Sequence, residues 1–128
     1  MKCFLLDTHT FIWFIEGDAR ISTKAIKIIS NPEIICSLSV VSIWEIAIKL
    51  SIKKLELNQA LSDIILKTKS IGLDILPIKP EYILKVEKLP FYHNDPFDRL
   101  LISHSMVEKI PIISKDISFK KYSIDVVW

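Results

Sequence analysis

Cys3-Phe4-Leu5-Leu6-Asp7-Thr8-His9-Thr10-Phe11-Ile12-Trp13-Phe14-Ile15 is the stretch whose reading decides the fold. Cys3 to Leu6 make a short apolar run with the character of a strand, whereas from Thr8 onward the apolar residues follow a helical rhythm. Asp7 stands at the junction, so the strand delivers its carboxylate to the edge of a sheet where a helix opens. In an α/β domain the carboxyl ends of parallel strands and the helices beside them line one crevice, and acids far apart in sequence can meet there.

The same alternation continues along the chain. Strands are predicted over 3–6, 34–37, 75–78, 112–114 and 124–127, and helices over 8–16, 22–30, 40–51, 59–70, 80–88 and 96–108. Asn31-Pro32, Gly72 and Lys79-Pro80 mark turns between them rather than linkers. Strands separated by helices predict an α/β fold, a three-layer α/β/α sandwich around a central, mainly parallel sheet. With 128 residues, half of them hydrophobic, the chain can bury roughly two-thirds of its unfolded surface in one core. A single domain over 1–128 is the expectation.

Three further acids share the setting of Asp7. Glu45 interrupts Val40-Val41-Ser42-Ile43-Trp44-Glu45-Ile46-Ala47-Ile48, where a solvated charge is out of place. Asp98 lies in His93-Asn94-Asp95-Pro96-Phe97-Asp98-Arg99-Leu100-Leu101-Ile102, in the first turn of a helix that Pro96 starts. Asp116 follows the apolar run Ile110-Pro111-Ile112-Ile113-Ser114. Each has a purely structural explanation. Asp7 can cap the helix after it. Glu45 can pair with Lys49 one turn on, although such a pair is worth only about 0.3–0.5 kcal/mol, too little to explain an acid between Trp44 and Ile46. Asp95 and Asp98 have the spacing of a capping box, Asp95 capping and Asp98 reaching back to its amide, and for Asp95 capping is sufficient. Asp116 can close a turn. Four acids at one edge of a sheet exceed what separate capping roles require.

Such a cluster needs a counter-charge. Two carboxylates about 5 Å apart repel by roughly 3 kcal/mol at an effective dielectric of about 20. Without a cation some of them must hold protons, and a divalent ion restores their charge. Oxygen ligands select a hard cation, magnesium or else manganese, and require neither imidazole nor thiolate.

Other chemistries fit less well. Two glycines, Gly17 and Gly72, cannot make a dinucleotide fingerprint or a phosphate-binding P-loop. His9, His93 and His104 have no Ser or Cys nucleophile in a recognisable catalytic setting; His9 and His93 lie near the predicted crevice as candidate substrate contacts, and His104 reads as an ordinary helix residue. Cys3 and Cys36 sit in apolar strands as small hydrophobes, outside any zinc or disulfide pattern. Seventeen basic residues against 15 acidic give a net charge of +2, so contact with a polyanion must come from local patches: Lys49, Lys53 and Lys54, or Lys115, Lys120 and Lys121. Met1-Lys2 before an apolar run imitates the start of a secretory signal, which Asp7 breaks, and no apolar run is long enough for a bilayer. A cytoplasmic protein without a membrane partner is expected.

Asp7-Thr8-His9, Ser42-Ile43-Trp44-Glu45-Ile46-Ala47, His93-Asn94-Asp95-Pro96-Phe97-Asp98-Arg99-Leu100-Leu101-Ile102 and Ile113-Ser114-Lys115-Asp116, in this order over the whole chain, resemble a PIN-domain nuclease. Within that family the chain looks most like the VapC-type toxins of type II toxin–antitoxin systems, and Asp95-Pro96-Phe97-Asp98-Arg99-Leu100 is the most specific part. The resemblance implies magnesium- or manganese-dependent cleavage of RNA, leaving 5′-phosphate and 3′-hydroxyl ends. The family's acidic quartet falls on Asp7, Glu45, Asp98 and Asp116. Thr8, Asp95 and Ser114 take supporting positions, and His9, His93, Arg99 and Lys115 are substrate-contact candidates. His9 and Arg99 depart from the smaller residues common elsewhere in the family.

The resemblance also implies an RNA substrate, a homodimer, and a small cognate antitoxin that covers the cleft and carries the complex to operator DNA. Stretches 42–50 and 59–71 hold more Ile and Leu than one narrow buried stripe needs, as a partner groove requires. Two other classes remain open. A phosphoacceptor or aspartyl-phosphatase-like domain also places an Asp after its first strand, but it wants a second acid where His9 stands or adjacent acids at the strand end. A non-catalytic RNA-binding module would keep the fold without needing the quartet.

Overall fold

A computed structural model describes residues 2–128; Met1, where the signal-like stretch begins, lies outside them. In chain order the elements are β1 (Cys3–Leu6), α1 (Thr8–Glu16), α2 (Thr23–Ser30), β2 (Ile35–Ser39), α3 (Val40–Ser51), α4 (Leu61–Ser70), β3 (Asp74–Leu76), α5 (Pro80–Lys88), α6 (Pro96–Glu108), β4 (Ile112–Ile113), a 3₁₀ turn (Ile117–Lys121) and β5 (Val126–Val127). All strand pairs are parallel, in the order β3-β2-β1-β4-β5. Among the described residues no helix is long and apolar enough to cross a membrane.

Side chains of β1 alternate between two cores, which makes the three layers. Phe4 and Leu6 join Phe11, Trp13 and Ile15 of α1, Ala25 of α2 and Ile64 of α4 on one face. Leu5 joins Leu101 and Ile102 of α6, Leu89 after α5 and Phe119 of the 3₁₀ turn on the other. Ile113 and Ile112 of β4 divide the same way. Burial on both faces explains why β1 reads as an unbroken apolar run. Helix α1 stops at Gly17, whose φ of 64° lets its N–H turn back to the Phe14 carbonyl.

The predicted elements are all present, with shifted ends. β2 continues to Ser39 because Ser37 and Ser39 remain buried strand residues, and the Ser39 hydroxyl then caps α3 through the Val41 N–H at 3.1 Å. β3 ends at Leu76, before Pro77, which has no N–H for the ladder. Ser22 is the cap of α2 and Ala60 that of α4, so these helices begin at Thr23 and Leu61. Strand β5 shortens to Val126–Val127, and Ser114 falls just past β4. The 3₁₀ turn was not anticipated.

Sheet order fixes where a crevice opens. From β1 the chain builds outward through β2 and β3, then returns to the other side of β1 for β4 and β5. The order therefore reverses between β1 and β4, and the helices leave those two carboxyl ends apart, the place where open α/β sheets form a cleft. Asp7 follows β1 there, and Ser114 and Asp116 follow β4.

Candidate metal centre

Asp7 is pinned by its backbone: its N–H donates to the Ile113 carbonyl at 3.0 Å, tying the end of β1 to the end of β4. It occupies the cap position of α1, yet its side chain makes no cap hydrogen bond. Instead the Ser114 hydroxyl donates to its Oδ2 at 2.8 Å, and Oδ1 is buried with no hydrogen-bond partner. Burial pushes the Asp7 carboxyl above its usual range; the Glu45 charge adds to this, and Ser114 and His9 only partly offset it.

Glu45 reaches the same space from α3, with only 2% of its surface exposed. Its Oε1 lies 2.8 Å from the Thr8 hydroxyl, which also lies 2.8 Å from Ser42 Oγ. A hydroxyl has one proton and a carboxylate only accepts, so Thr8 donates to Glu45 and accepts from Ser42. The expected Lys49 pair forms, Nζ to Oε2 at 2.6 Å. Burial works against the Lys49 charge, but the Glu45 hydrogen bond and the nearby Glu45, Asp95 and Asp98 carboxylates outweigh it and hold the ammonium's pKa up.

Asp98 enters from the first turn of α6. The expected capping box is only half formed: Asp95 Oδ1 accepts the Asp98 N–H at 2.9 Å, but the Asp98 carboxylate does not return to the Asp95 amide. That amide donates to His93 Nδ1 at 3.1 Å, and Asp98 Oδ2 lies 2.9 Å from His93 Nε2. Burial first, then the charges of Asp7, Asp95, Glu45 and Asp116, push the Asp98 carboxyl up to about 8. All four of those acids thus act on it.

Asp116 closes the turn that its sequence position suggested, and its other oxygen turns to His93. Its Oδ1 accepts the Ser118 N–H at 2.9 Å and the Ser118 hydroxyl at 2.7 Å, capping the 3₁₀ turn, while Oδ2 lies 3.1 Å from His93 Nε2. Burial opposes its charge, but the bonds from Ser118 and His93 prevail and hold it below its usual range. Its N–H donates to Ser114 Oγ at 3.0 Å. Ser114 thereby joins Asp7 to Asp116, His93 joins Asp116 to Asp98, and Thr8 joins the start of α1 to Glu45. His93, Asp98 and Asp116 each offer a donor atom, all within 4.8 Å of one another. An unpartnered buried carboxylate oxygen and an acid forced toward its protonated form fit a cation, and the carboxylate oxygens suit a hard one. An imidazole inside the cluster was not foreseen.

The other candidates separate. Asp7, His9, Trp13, Lys115 and Asp116 line a shallow cleft of about 240 Å³, and Lys115 Nζ stands 5.9 Å from the Trp13 ring centre. His9 and Lys115 are exposed there. Arg99 does not face it. The guanidinium is buried and donates to the carbonyls of Val86, Leu89, Pro90 and His93 at 3.0–3.3 Å. Its planar fork of five donors lashes the α5–α6 loop in place, so the substrate-contact reading of Arg99 is corrected to a structural one. His104 is packed, its ring stacked on Tyr82 at 4.2 Å. Trp13, Ser42 and Ser118 were missed. Ser42 precedes Glu45 by one helical turn and Ser118 follows Asp116 by two residues, the spacings for a neighbour on one helix face and for an Asx turn.

Trp44, Ile52, Leu66 and Ile71 leave apolar surface outside both cores, although Trp44 also meets Phe97 edge-on at 5.1 Å.

The family model described as PIN domain matches residues 4–125. No curated protein sequence matches the chain. Among solved structures, the fold resembles VapBC2 from Rickettsia felis bound to a DNA fragment from its promoter, with a TM-score of 0.72 at 14% identity, covering 98% of this chain and 97% of that one. FitAcB from Neisseria gonorrhoeae aligns with a TM-score of 0.65 at 14% identity, covering 98% and 96%. VapBC-5 from Mycobacterium tuberculosis, of the VapBC family of toxin–antitoxin systems, aligns with a TM-score of 0.60 at 15% identity, covering 99% and 97%.

Proposed function

The chain belongs to the PIN domain family, and from that premise we propose that it is a metal-dependent endoribonuclease, the toxin of a toxin–antitoxin pair, working as a single unit over 1–128. The observation that supports this reading is the run of hydrogen bonds from Asp7 through Ser114 to Asp116 and through His93 to Asp98, with Glu45 held beside them by Thr8. Glu45 is paired with Lys49, and the charge crowded on the other acids is costly unless a cation binds it.

In this reading Asp7 and Asp98 are the principal ligands, and Glu45 and Asp116 bind directly or through water. Magnesium is the natural ion and manganese an acceptable one, since both take oxygen donors. When bound, such an ion polarises the phosphate and lowers the pKa of a water. The chain does the rest. Ser114 turns one oxygen of Asp7 away and leaves Oδ1 free for the ion. Thr8 and Lys49 hold Glu45. Lys115 and His9 flank the acids on the open side, where they meet a phosphate and a base of single-stranded RNA. Exposed Lys120 and Lys121 extend that contact.

Among solved structures with this fold are VapBC-5, of a family of toxin–antitoxin systems, and two VapBC proteins bound to DNA. They support a small antitoxin for this chain and operator DNA contacted only through the antitoxin; the reading includes a homodimer. The exposed Trp44, Ile52, Leu66 and Ile71 provide apolar surface for an amphipathic partner helix. The setting is the cytoplasm, where the RNA is.

Incubating RNA with the wild type and with Asp98→Asn across a magnesium titration tests the reading. Cleavage should appear with the metal, vanish on chelation and be absent from the variant. RNA retained but never shortened would point to a binding module instead. A stable acetyl-phosphate adduct on Asp7 would point to a phosphoacceptor.

A further inference from the structure

We propose that His93 is the positioning residue of this centre, an N–H bridge that holds Asp98 and Asp116 together and is not itself a ligand of the ion. This rests on the reading of the four acids as the metal's ligands, and the bridge is decided by the hydrogen bonds of the imidazole. Its Nδ1 lies 3.1 Å from the Asp95 N–H. A backbone amide can only donate, so Nδ1 must present its lone pair. The neutral ring then carries its proton on Nε2, the nitrogen 2.9 Å from Asp98 Oδ2 and 3.1 Å from Asp116 Oδ2. Both carboxyl groups accept from that one N–H.

Coordination through Nε2 would require moving the proton to Nδ1, against the Asp95 N–H. The ring has little freedom to turn away. The His93 N–H donates to Tyr122 Oη at 3.0 Å, its carbonyl accepts from Arg99 at 3.3 Å, and the ring rests on Phe119 at 5.7 Å. The buried Arg99 therefore acts on the centre at one remove, by fixing the loop that carries His93.

The bridge explains a feature that acids alone leave open. Asp98 and Asp116 arrive from α6 and from the loop after β4, with no backbone hydrogen bond between them to set their spacing. A neutral N–H donor draws them together without cancelling the charge an ion needs. A nitrogen ligand would instead soften the site and shift its preference from magnesium toward nickel or zinc.

Long-range proton–nitrogen NMR on ¹⁵N-histidine-labelled full-length protein reads the tautomer directly. In the metal-free protein His93 should show protonated Nε2 and bare Nδ1, and magnesium should leave that pattern unchanged. A proton on Nδ1, or an Nε2 resonance shifted into the metal-bound range, would overturn the proposal. Calorimetry supplies the second arm. His93→Gln keeps an N–H near the Nε2 position but offers no imidazole, so its magnesium affinity should stay close to the wild type. His93→Ala should weaken binding by about tenfold or more, the usual cost of losing a group that orients a ligand. Equal losses in both variants would make His93 a ligand and end the bridge. Wild-type protein that binds no ion at all would overturn the metal reading, and the metal-free NMR pattern alone would then decide the bridge.

Discussion

Asp7 and Asp95 occupy the same local position and do different things. Each is the cap residue of a helix, with φ and ψ of −65° and 150° for Asp7 and −67° and 121° for Asp95. Asp95, half-buried at the rim, caps its helix through the Asp98 N–H. Asp7, 3% exposed at the end of a central strand, caps nothing with its side chain and points to Ser114 with one oxygen left over. Capping is worth about 1 kcal/mol, whereas burying a carboxylate beside others costs more than that. The surroundings therefore decide the role, and Asp7 is held where its buried charge weakens the fold.

The sharpest way to break this contrast is to neutralise each acid without changing its shape. Asp7→Asn keeps an oxygen for the Ser114 hydroxyl but removes a proposed ligand and a buried charge. RNA cleavage should fall by about a thousandfold, equivalent to roughly 4 kcal/mol of transition-state stabilisation. Thermal melting without metal should hold or rise in the same variant. Asp95→Asn should retain most of its activity. A gel-based cleavage assay in which Asp7→Asn equals the wild type, or Asp95→Asn is the worse of the two, would remove the distinction.

Much of this was legible in the sequence because it depends on short-range pattern. The apolar run Cys3–Leu6 ending at Asp7 announces a strand, a sheet edge and an acid together, and an isolated Glu45 among apolar neighbours announces a polar cleft. What could not be read were the directions of side chains within the cleft. Asp98 has the spacing to reach back to the Asp95 amide, yet the competing acceptor, His93 Nδ1, takes that N–H. Arg99 was a candidate substrate contact, but its guanidinium satisfies four loop carbonyls that only folding brings into range. The 3₁₀ turn after Asp116 is too short to have a period. Burial and hydrogen-bond competition are set by tertiary structure, and these errors lie there.

Proton binding sharpens the contrast at the next level of effect, between Asp98 and Asp116. In the folded, metal-free protein Asp98 keeps its proton up to about pH 8, whereas its ordinary value of 3.8 applies in the unfolded chain. Across that window the folded state binds more protons, so its stability falls as pH rises from about 4 to about 8 and levels off above. Asp116, held low by Ser118 and His93, contributes in the opposite sense and at lower pH: stability is present above 3.8 and is lost as pH falls through its depressed value. Melting curves of chelated protein should therefore show a decline toward pH 8 that Asp98→Asn flattens. If Asp98 is a ligand as proposed, magnesium must displace its proton, so the apparent affinity should tighten over the same range, by at most about tenfold per pH unit for one proton released. A metal-free melting temperature that rises steadily from pH 5 to pH 8 would contradict the charge assignment.

The smallest effect belongs to the residue that does the ordinary thing. Asp95→Ala removes the acceptor for the Asp98 N–H at the start of α6 and should cost about 1 kcal/mol in urea unfolding. The second consequence is indirect. Asp95 is one of the charges raising the Asp98 pKa, so its loss should move the decline in metal-free stability to lower pH while the Asp95 backbone N–H still fixes His93. Capping and charge thereby become separable: Asp95→Asn keeps a capping oxygen and should restore most of the unfolding free energy, yet it should leave the pH shift in place. A variant pair in which both quantities moved together would mean that Asp95, like Asp7, belongs to the centre rather than to its helix.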